Sequence, residues 1–473
     1  MTDALPLDLL VRGGTVVTDG AVRRADVGVR GGVVAGIWED GGPQAAASGV
    51  DATGKIVMPG AIDAHFHTNT GWAQMAVKAD DPTSATRSAA AGGVTTVITF
   101  VWGNAGQPLP EFLGAYFEMA SQLSITDFSA HCGVRPEPAL IEQIPEAIAM
   151  GVTSFKFHYA YRRTSQGRTT DDRDRLAAMR LIERHGGLAL FHCENGEITD
   201  FLEDELGTAG KVGYEHYLAS RPNLAEAETV HRTMLLCELT GCPVYIVHTS
   251  ARESVAEIVA ARARGLPVHA ETCPQYLTLT NDAVLEWGPL AKVAPPLRTK
   301  ADAEVLWQAV ARGEVEVVGS DHSANRREDK DAARDDFRKA PFGTPIVELM
   351  VNLLYSEGVV AGRLSLERFV DAVTASPARL FGMYPRKGTL QVGADADILI
   401  WDPDASWTVR AAELVNPAGY SIFEGRNLRG RAWRSWLRGQ PLLTEAGVVA
   451  APGHGRPVAR MPRPGLEGVQ GAA

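Results

Sequence analysis

Long apolar runs are missing from this chain of 473 residues: no stretch approaches about eighteen consecutive apolar side chains, the length a membrane-crossing helix needs. The opening segment, MTDALPLDLLVRGGTVVTDG, has no basic stretch leading into an apolar one. The expectation is a cytoplasmic protein with no membrane partner. Cysteine is scarce. The five present (Cys132, Cys193, Cys237, Cys242 and Cys273) are odd in number and form no C-x-x-C pair, which speaks against a disulfide framework and against a cysteine-based zinc knuckle. Dense lysine or arginine runs are absent too, and the net charge of −11 argues against a nucleic-acid partner. A small-molecule partner is favoured.

What is present is an ordinary globular composition, 45% hydrophobic and 22% charged, in a chain long enough for a large barrel plus an accessory domain. Eight short apolar runs recur in order: IVMPGAIDAHFH, GVTTVITF, DFSAHCGV, GVTSFKFHYAY, LALFHCEN, PVYIVHTS, LPVHAETC and VEVVGSDHS. Amphipathic stretches such as DDRDRLAAMRLIERHG and ADAEVLWQAVARG lie between them, closed by Gly as helices often are. Eight β/α units in sequence predict an α/β fold, a (β/α)8 TIM-like barrel over 57–385, with functional groups at the C-terminal ends of its strands. Residues 1–56 and 386–445 read instead as short strands with Gly turns, a small β-sandwich formed from both termini. Residues 446–473 are rich in Gly and Pro and read as a tail that is poorly ordered or docked on a partner; His454 within it receives no role.

Several residues at the strand ends carry chemistry. His65 and His67 in DAHFH are two apart at the end of the first run and project to one side, so both imidazoles can meet one metal; two structural histidines would produce the same pattern. His192 ends the fifth run, His248 the sixth and Asp321 the eighth, which places all of them at one rim. Lys156 closes the fourth at the same rim. A protonated lysine would be repelled by metal ions, whereas a neutral amine can take up carbon dioxide and become a carbamate able to bridge two of them.

Together with AAAGGVTT, HCENGE, ETCPQYL, APPLRTK and ASPARLFGMYPRKGTLQVGADADILIWDP, these motifs closely resemble the dihydropyrimidinase and D-hydantoinase type of cyclic amidohydrolase, in the metal-dependent amidohydrolase superfamily, over nearly the whole chain. The resemblance implies two Zn2+ ions per subunit. One would be held by His65, His67, Asp321 and Lys156 as N6-carboxylysine, the other by the same carbamate with His192 and His248. It implies a hydroxide between the ions, Asp321 as the proton carrier, Tyr161 as hydrogen-bond donor to the oxyanion, a cyclic amide substrate, and a homo-oligomer, commonly a tetramer.

The chain departs from that pattern around the substrate. Ala294 stands where the family usually has Ser, Phe342 where it has Asn, Thr70 where an apolar residue is usual, and His158 where Phe is common; Trp72 takes a rim position. His158 is read as hydrogen-bonded within the barrel in preference to touching substrate. These changes predict altered selectivity, with dihydrouracil a poor substrate and a polar or flat ring substituent preferred. An allantoinase-like hydrolase is the alternative reading. A catalytically silent scaffolding relative is opposed by retention of all six ligand positions, and a dihydroorotase by Asn69 where an Arg would bind carboxylate.

Overall fold

The computed structural model describes residues 6–39, 41–43, 46–71, 78–163 and 167–463. Eight strands hydrogen-bond in chain order: Ala61–Phe66, Val94–Val101, Asp127–Gly133, Ser154–His158, Leu188–His192, Val244–Ile246, Val268–Thr272 and Val317–Val318. Every neighbouring pair is parallel. Parallel pairing forces a crossover between successive strands, and the intervening helices supply it.

The sheet curls into a barrel whose first and last strands meet through polar groups. Asp63 accepts hydrogen bonds from the Ser320 backbone at 2.9 Å and from its hydroxyl, and Phe66 forms a parallel bridge with His322. Alternation divides the side chains by face. In the fifth strand Ala189 and Phe191 join the large apolar layer shared with the helices, whereas Leu188 and Leu190 pack with Tyr245, Val317, Phe381 and Met383 inside.

Both termini build a second, nine-stranded sheet. Ile56–Pro59 lies between Leu7–Thr18, which it pairs in parallel, and Ile398–Thr408, which it pairs antiparallel, so the N- and C-terminal parts share one sheet. Val11, Val27, Val57, Ile398 and Trp436 form its core. Between this sheet and the barrel Lys387 is fully buried, 2.6 Å from Asp127, 2.9 Å from Asp395 and 2.7 Å from Asp397; Arg438 also reaches Asp127.

The expectation of a poorly ordered or partner-docked tail is corrected for residues 446–463. Gly447–Val448 adds to the second sheet. The segment that follows closes the N-terminal end of this same barrel: the Val458 amide donates to the Phe128 carbonyl at 2.8 Å, the Arg460 guanidinium to Ser154 Oγ at 2.7 Å, and the Arg463 amide to Gly186 at 2.8 Å. The barrel bottom otherwise exposes unpaired backbone, which these bonds satisfy. Residues 464–473 and Trp72 lie outside the described residues.

Candidate active site

His65 is on the first barrel strand and His67 one residue beyond it, sharing a face as their spacing dictates. The Nδ1 of His65 is hydrogen-bonded to the Glu271 carboxylate, which also accepts from the Tyr245 hydroxyl at 2.8 Å and the His248 amide at 3.1 Å. That bond turns His65 Nε2 toward the cavity, 3.1 Å from Asp321 Oδ1, and His67 Nε2 lies 3.3 Å from the same oxygen. Burial alone would lower His65, but the charges of Glu271 and Asp321 raise it to about 9; burial takes His67 down to about 4. Burial would raise Asp321, yet the charge of His65 and its hydrogen bonds hold it well below the usual carboxylate range. Without a metal the His65 proton holds Asp321; with that proton withdrawn, the imidazole and carboxylate lone pairs converge on one point, the arrangement that suits a bound cation.

A second convergence lies alongside. His192 Nε2 bonds the Glu194 carboxylate at 2.8 Å, and Arg221 holds that carboxylate at 2.8 Å. Burial would raise Glu194, but Arg221 and His192 bring it down to about 2, so the carboxylate is ionised and His192 carries its proton on Nε2. Its Nδ1 then presents a lone pair toward His248 Nε2, 2.9 Å away. His248 Nδ1 is buried with no hydrogen-bond partner. Burial lowers the pKa of both rings.

Lys156 lies within Ser154–His158 and does not close that strand as its sequence position suggested. It is 2% exposed, burial lowers it to about 8, and its Nζ sits 4.7 Å from the centre of the Phe100 ring with no ion pair among the described residues. His248 and Asp321, by contrast, fall beyond their short strands, on backbone with φ of 39° and 51°, and Tyr161 has φ 63°. They are three of the five described non-glycine residues with positive φ. Such conformations cost about 1–3 kcal/mol each and collect where geometry serves function.

All six candidate ligands and Tyr161 line one cavity of about 610 Å3, as do Thr70, His158, Ala294 and Phe342. Tyr161 packs 4.7 Å from the His192 ring and 5.5 Å from Phe342, and burial pushes its hydroxyl well up, so it remains a donor. His158 differs from its expected setting: its Nδ1 is buried without a hydrogen-bond partner, and the ring packs at a tilt against Trp102, 4.9 Å between centres. The donor set suits divalent zinc-like ions, since imidazoles braced from behind by Glu271 and Glu194 are the usual form of such ligands. Glu271, Glu194, Arg221 and Asp63 received no role from the sequence. Glu271 in ETCPQYL and Glu194 in HCENGE stand at strand ends like the ligands do, and that position is the one signal that could have found them.

Comparison with known proteins agrees with this geometry. A model of the amidohydrolase family matches residues 56–429. A D-hydantoinase from Rhizobium radiobacter is 38% identical over 455 residues, 95% of this chain and 98% of its own length. Among solved structures, dihydropyrimidinase from Brevibacillus agri superposes with a TM-score of 0.92 at 33% identity, over 96% of this chain and 99% of that one. L-hydantoinase (dihydropyrimidinase) from Arthrobacter aurescens gives 0.91 at 32% identity, over 96% and 100%. The chain belongs to the amidohydrolase family, among its hydantoinase- and dihydropyrimidinase-like cyclic amidohydrolases.

Proposed function

We propose that the protein is a dinuclear zinc hydrolase that opens the amide bond of a cyclic ureide or imide resembling hydantoin or dihydropyrimidine. The observation that carries this reading is the double convergence of groups able to ligate a metal, His65 and His67 on Asp321 and His192 on His248, around the buried Lys156. One ion would be held by His65, His67, Asp321 and Lys156 as a carbamate; the other by that carbamate with His192 and His248. Bound there, the metals supply Lewis acidity for the ring carbonyl and make water nucleophilic near neutral pH.

The remaining steps belong to the chain. Burial leaves Lys156 a substantial neutral fraction near pH 8, the form that takes up carbon dioxide. Asp321 accepts the proton released by the attacking water and returns it to the ring nitrogen as the C–N bond breaks. The Tyr161 hydroxyl donates to the carbonyl oxygen as that oxygen gains charge. Phe100, Trp102 and Phe342 give the cavity aromatic walls that suit a flat ring. A tetrameric assembly, in keeping with the family resemblance, is part of the same proposal.

The test is elemental analysis together with a ring-opening screen across hydantoin, dihydrouracil, allantoin and cyclic imides. About two zinc ions per chain and turnover of at least one ring are expected. Preference for allantoin would favour the alternative, and metal-loaded protein inert toward every ring would overturn the proposal. Lys156→Ala is expected to lose metal and activity together; full metal occupancy in that variant would remove the carbamate.

A further inference from the structure

Lys78 lines the cavity and is used neither by the metal centre nor by the ring-opening chemistry. Its place is fixed from the loop that follows the eighth strand: Lys78 forms an antiparallel bridge with Asn325, and the Ala79 amide donates to the Ala324 carbonyl at 2.6 Å. The ammonium donates to Ser323 Oγ, itself on the cavity lining, and to Asn325 Oδ1 at 3.2 Å. The Asn325 amide nitrogen is committed to the Phe342 carbonyl at 2.7 Å, so the amide oxygen is the atom turned to Lys78.

Both acceptors are neutral, and an ammonium carries three donors. Among the described residues Lys78 has no ion pair. The two carboxylates whose charge reaches it are held by other groups: Asp80 is bonded to His322 Nε2 at 2.7 Å, and Asp321 faces His65 and His67 at 3.1 and 3.3 Å. The other described carboxylate of the lining, Asp329, is bound by Arg326 at 2.8 and 3.1 Å. Burial lowers Lys78 to about 8 against the pull of Asp80 and Asp321, which leaves it mostly cationic at neutral pH. Beside the loop of Asp321 the cavity thus holds a positive charge bonded to neutral groups alone.

What that charge meets follows from the reaction. Opening a cyclic amide adds water across the C–N bond: oxygen joins the carbonyl carbon, the nitrogen leaves with a proton, and the acid so formed ionises, giving its proton to water. A neutral ring becomes a chain with a carboxylate. A fixed cation gains little from the first and attracts the second, so it lowers the open form on the enzyme relative to the ring. We propose that Lys78 binds the carboxylate created by ring opening, which draws the bound ring toward the open acid and makes that acid an inhibitor. This rests on the reading under Proposed function and adds regulation of that site by its own product.

The experiment titrates metal-loaded protein by calorimetry with N-carbamoylglycine, the acid that hydantoin gives on opening, and with its primary amide, which has nearly the same shape and no charge. Metals also attract the acid, so the comparison that decides is between wild type and variants of equal metal content. Lys78→Met should weaken the acid by about tenfold, the scale of one charge-assisted hydrogen bond, and the amide by less than about twofold. Lys78→Arg should keep part of the acid's affinity. A lysine that only ties the two loops together would shift acid and amide alike. Equal shifts in Lys78→Met, or an acid affinity unaltered by it, overturn the proposal. Titration needs no turnover, so the two readings fail separately: protein that opens no ring counts against the ring-opening reading, and its acid-to-amide ratio across the variants still reports on Lys78.

Discussion

The two ends of the barrel bury polar groups with opposite logic. At the N-terminal end the buried cations find partners within the chain: Lys387 lies against the carboxylates of Asp127, Asp395 and Asp397, and Arg460 donates to the Ser154 hydroxyl. At the C-terminal end groups able to ligate a metal converge on the cavity, His65 and His67 on Asp321 and His192 on His248, and Lys156 has no ion pair among the described residues. Satisfied burial holds a fold together, whereas unsatisfied burial stores an affinity for something from outside. The first end is built for stability and the second for chemistry.

Mutations should separate these roles. Asp321→Asn is expected to lower kcat by roughly a thousandfold or more, with KM much less affected, because the variant loses a proton carrier and leaves the barrel packing intact. Near-normal turnover with metal content unchanged would place the base elsewhere and break the comparison at its strongest point. Lys387→Met should do the reverse. It takes the cation from the buried Asp397 and one of two cations from Asp127 and Asp395, which keep Arg438 and Arg386, and should cost about 3–5 kcal/mol in urea unfolding, while the kcat of the folded fraction is retained. A neutral effect on the unfolding midpoint would mean that the lower cluster is not what ties the two sheets.

Tyr161→Phe sharpens the contrast on the upper side, since it removes one donor and little volume. About a hundredfold loss in kcat is expected with metal content and unfolding midpoint preserved. An unchanged rate removes the hydroxyl from the mechanism.

The smallest effect concerns a buried acid at neither end. Glu348 accepts the Val415 amide at 2.8 Å, and burial raises its carboxyl to about 7, above the ordinary value of 4.5. The folded protein therefore keeps this proton where the unfolded chain has lost it, so stability falls as pH rises from about 4.5 to about 7 and stays lower above that. Glu348→Gln should gain about 1–2 kcal/mol on wild type at pH 8 and nothing at pH 4. Unfolding curves with the same difference at both pH values would show that the acid is not protonated in the fold.

The eight strand runs and the six rim residues were readable because both are local patterns. A strand writes itself as alternating or continuous apolar residues, and a ligand at a strand end shares the short motif that ends it. Selectivity was only half legible. His158 lies two residues along the strand from Lys156, but the missing hydrogen bond at its Nδ1 and its tilted packing on Trp102 depend on a residue that follows the second barrel strand. Lys78 carried no signal, since nothing in KADDP distinguishes a lysine that lines the cavity from one turned to water.

By itself, then, the sequence determined the repeating β/α units, the sharing of one sheet between both termini and the kinds of side chain that stand at the barrel rim. Only the tertiary structure decided which of these groups face each other. Glu271 lies 206 positions from the His65 it braces, and Ser320 lies 257 positions from the Asp63 that helps to close the barrel. The docking of residues 446–463 under the barrel is of the same kind. Periodicity is a property of adjacent residues, whereas charge pairing and desolvation depend on distance and burial, which exist only once the chain has folded.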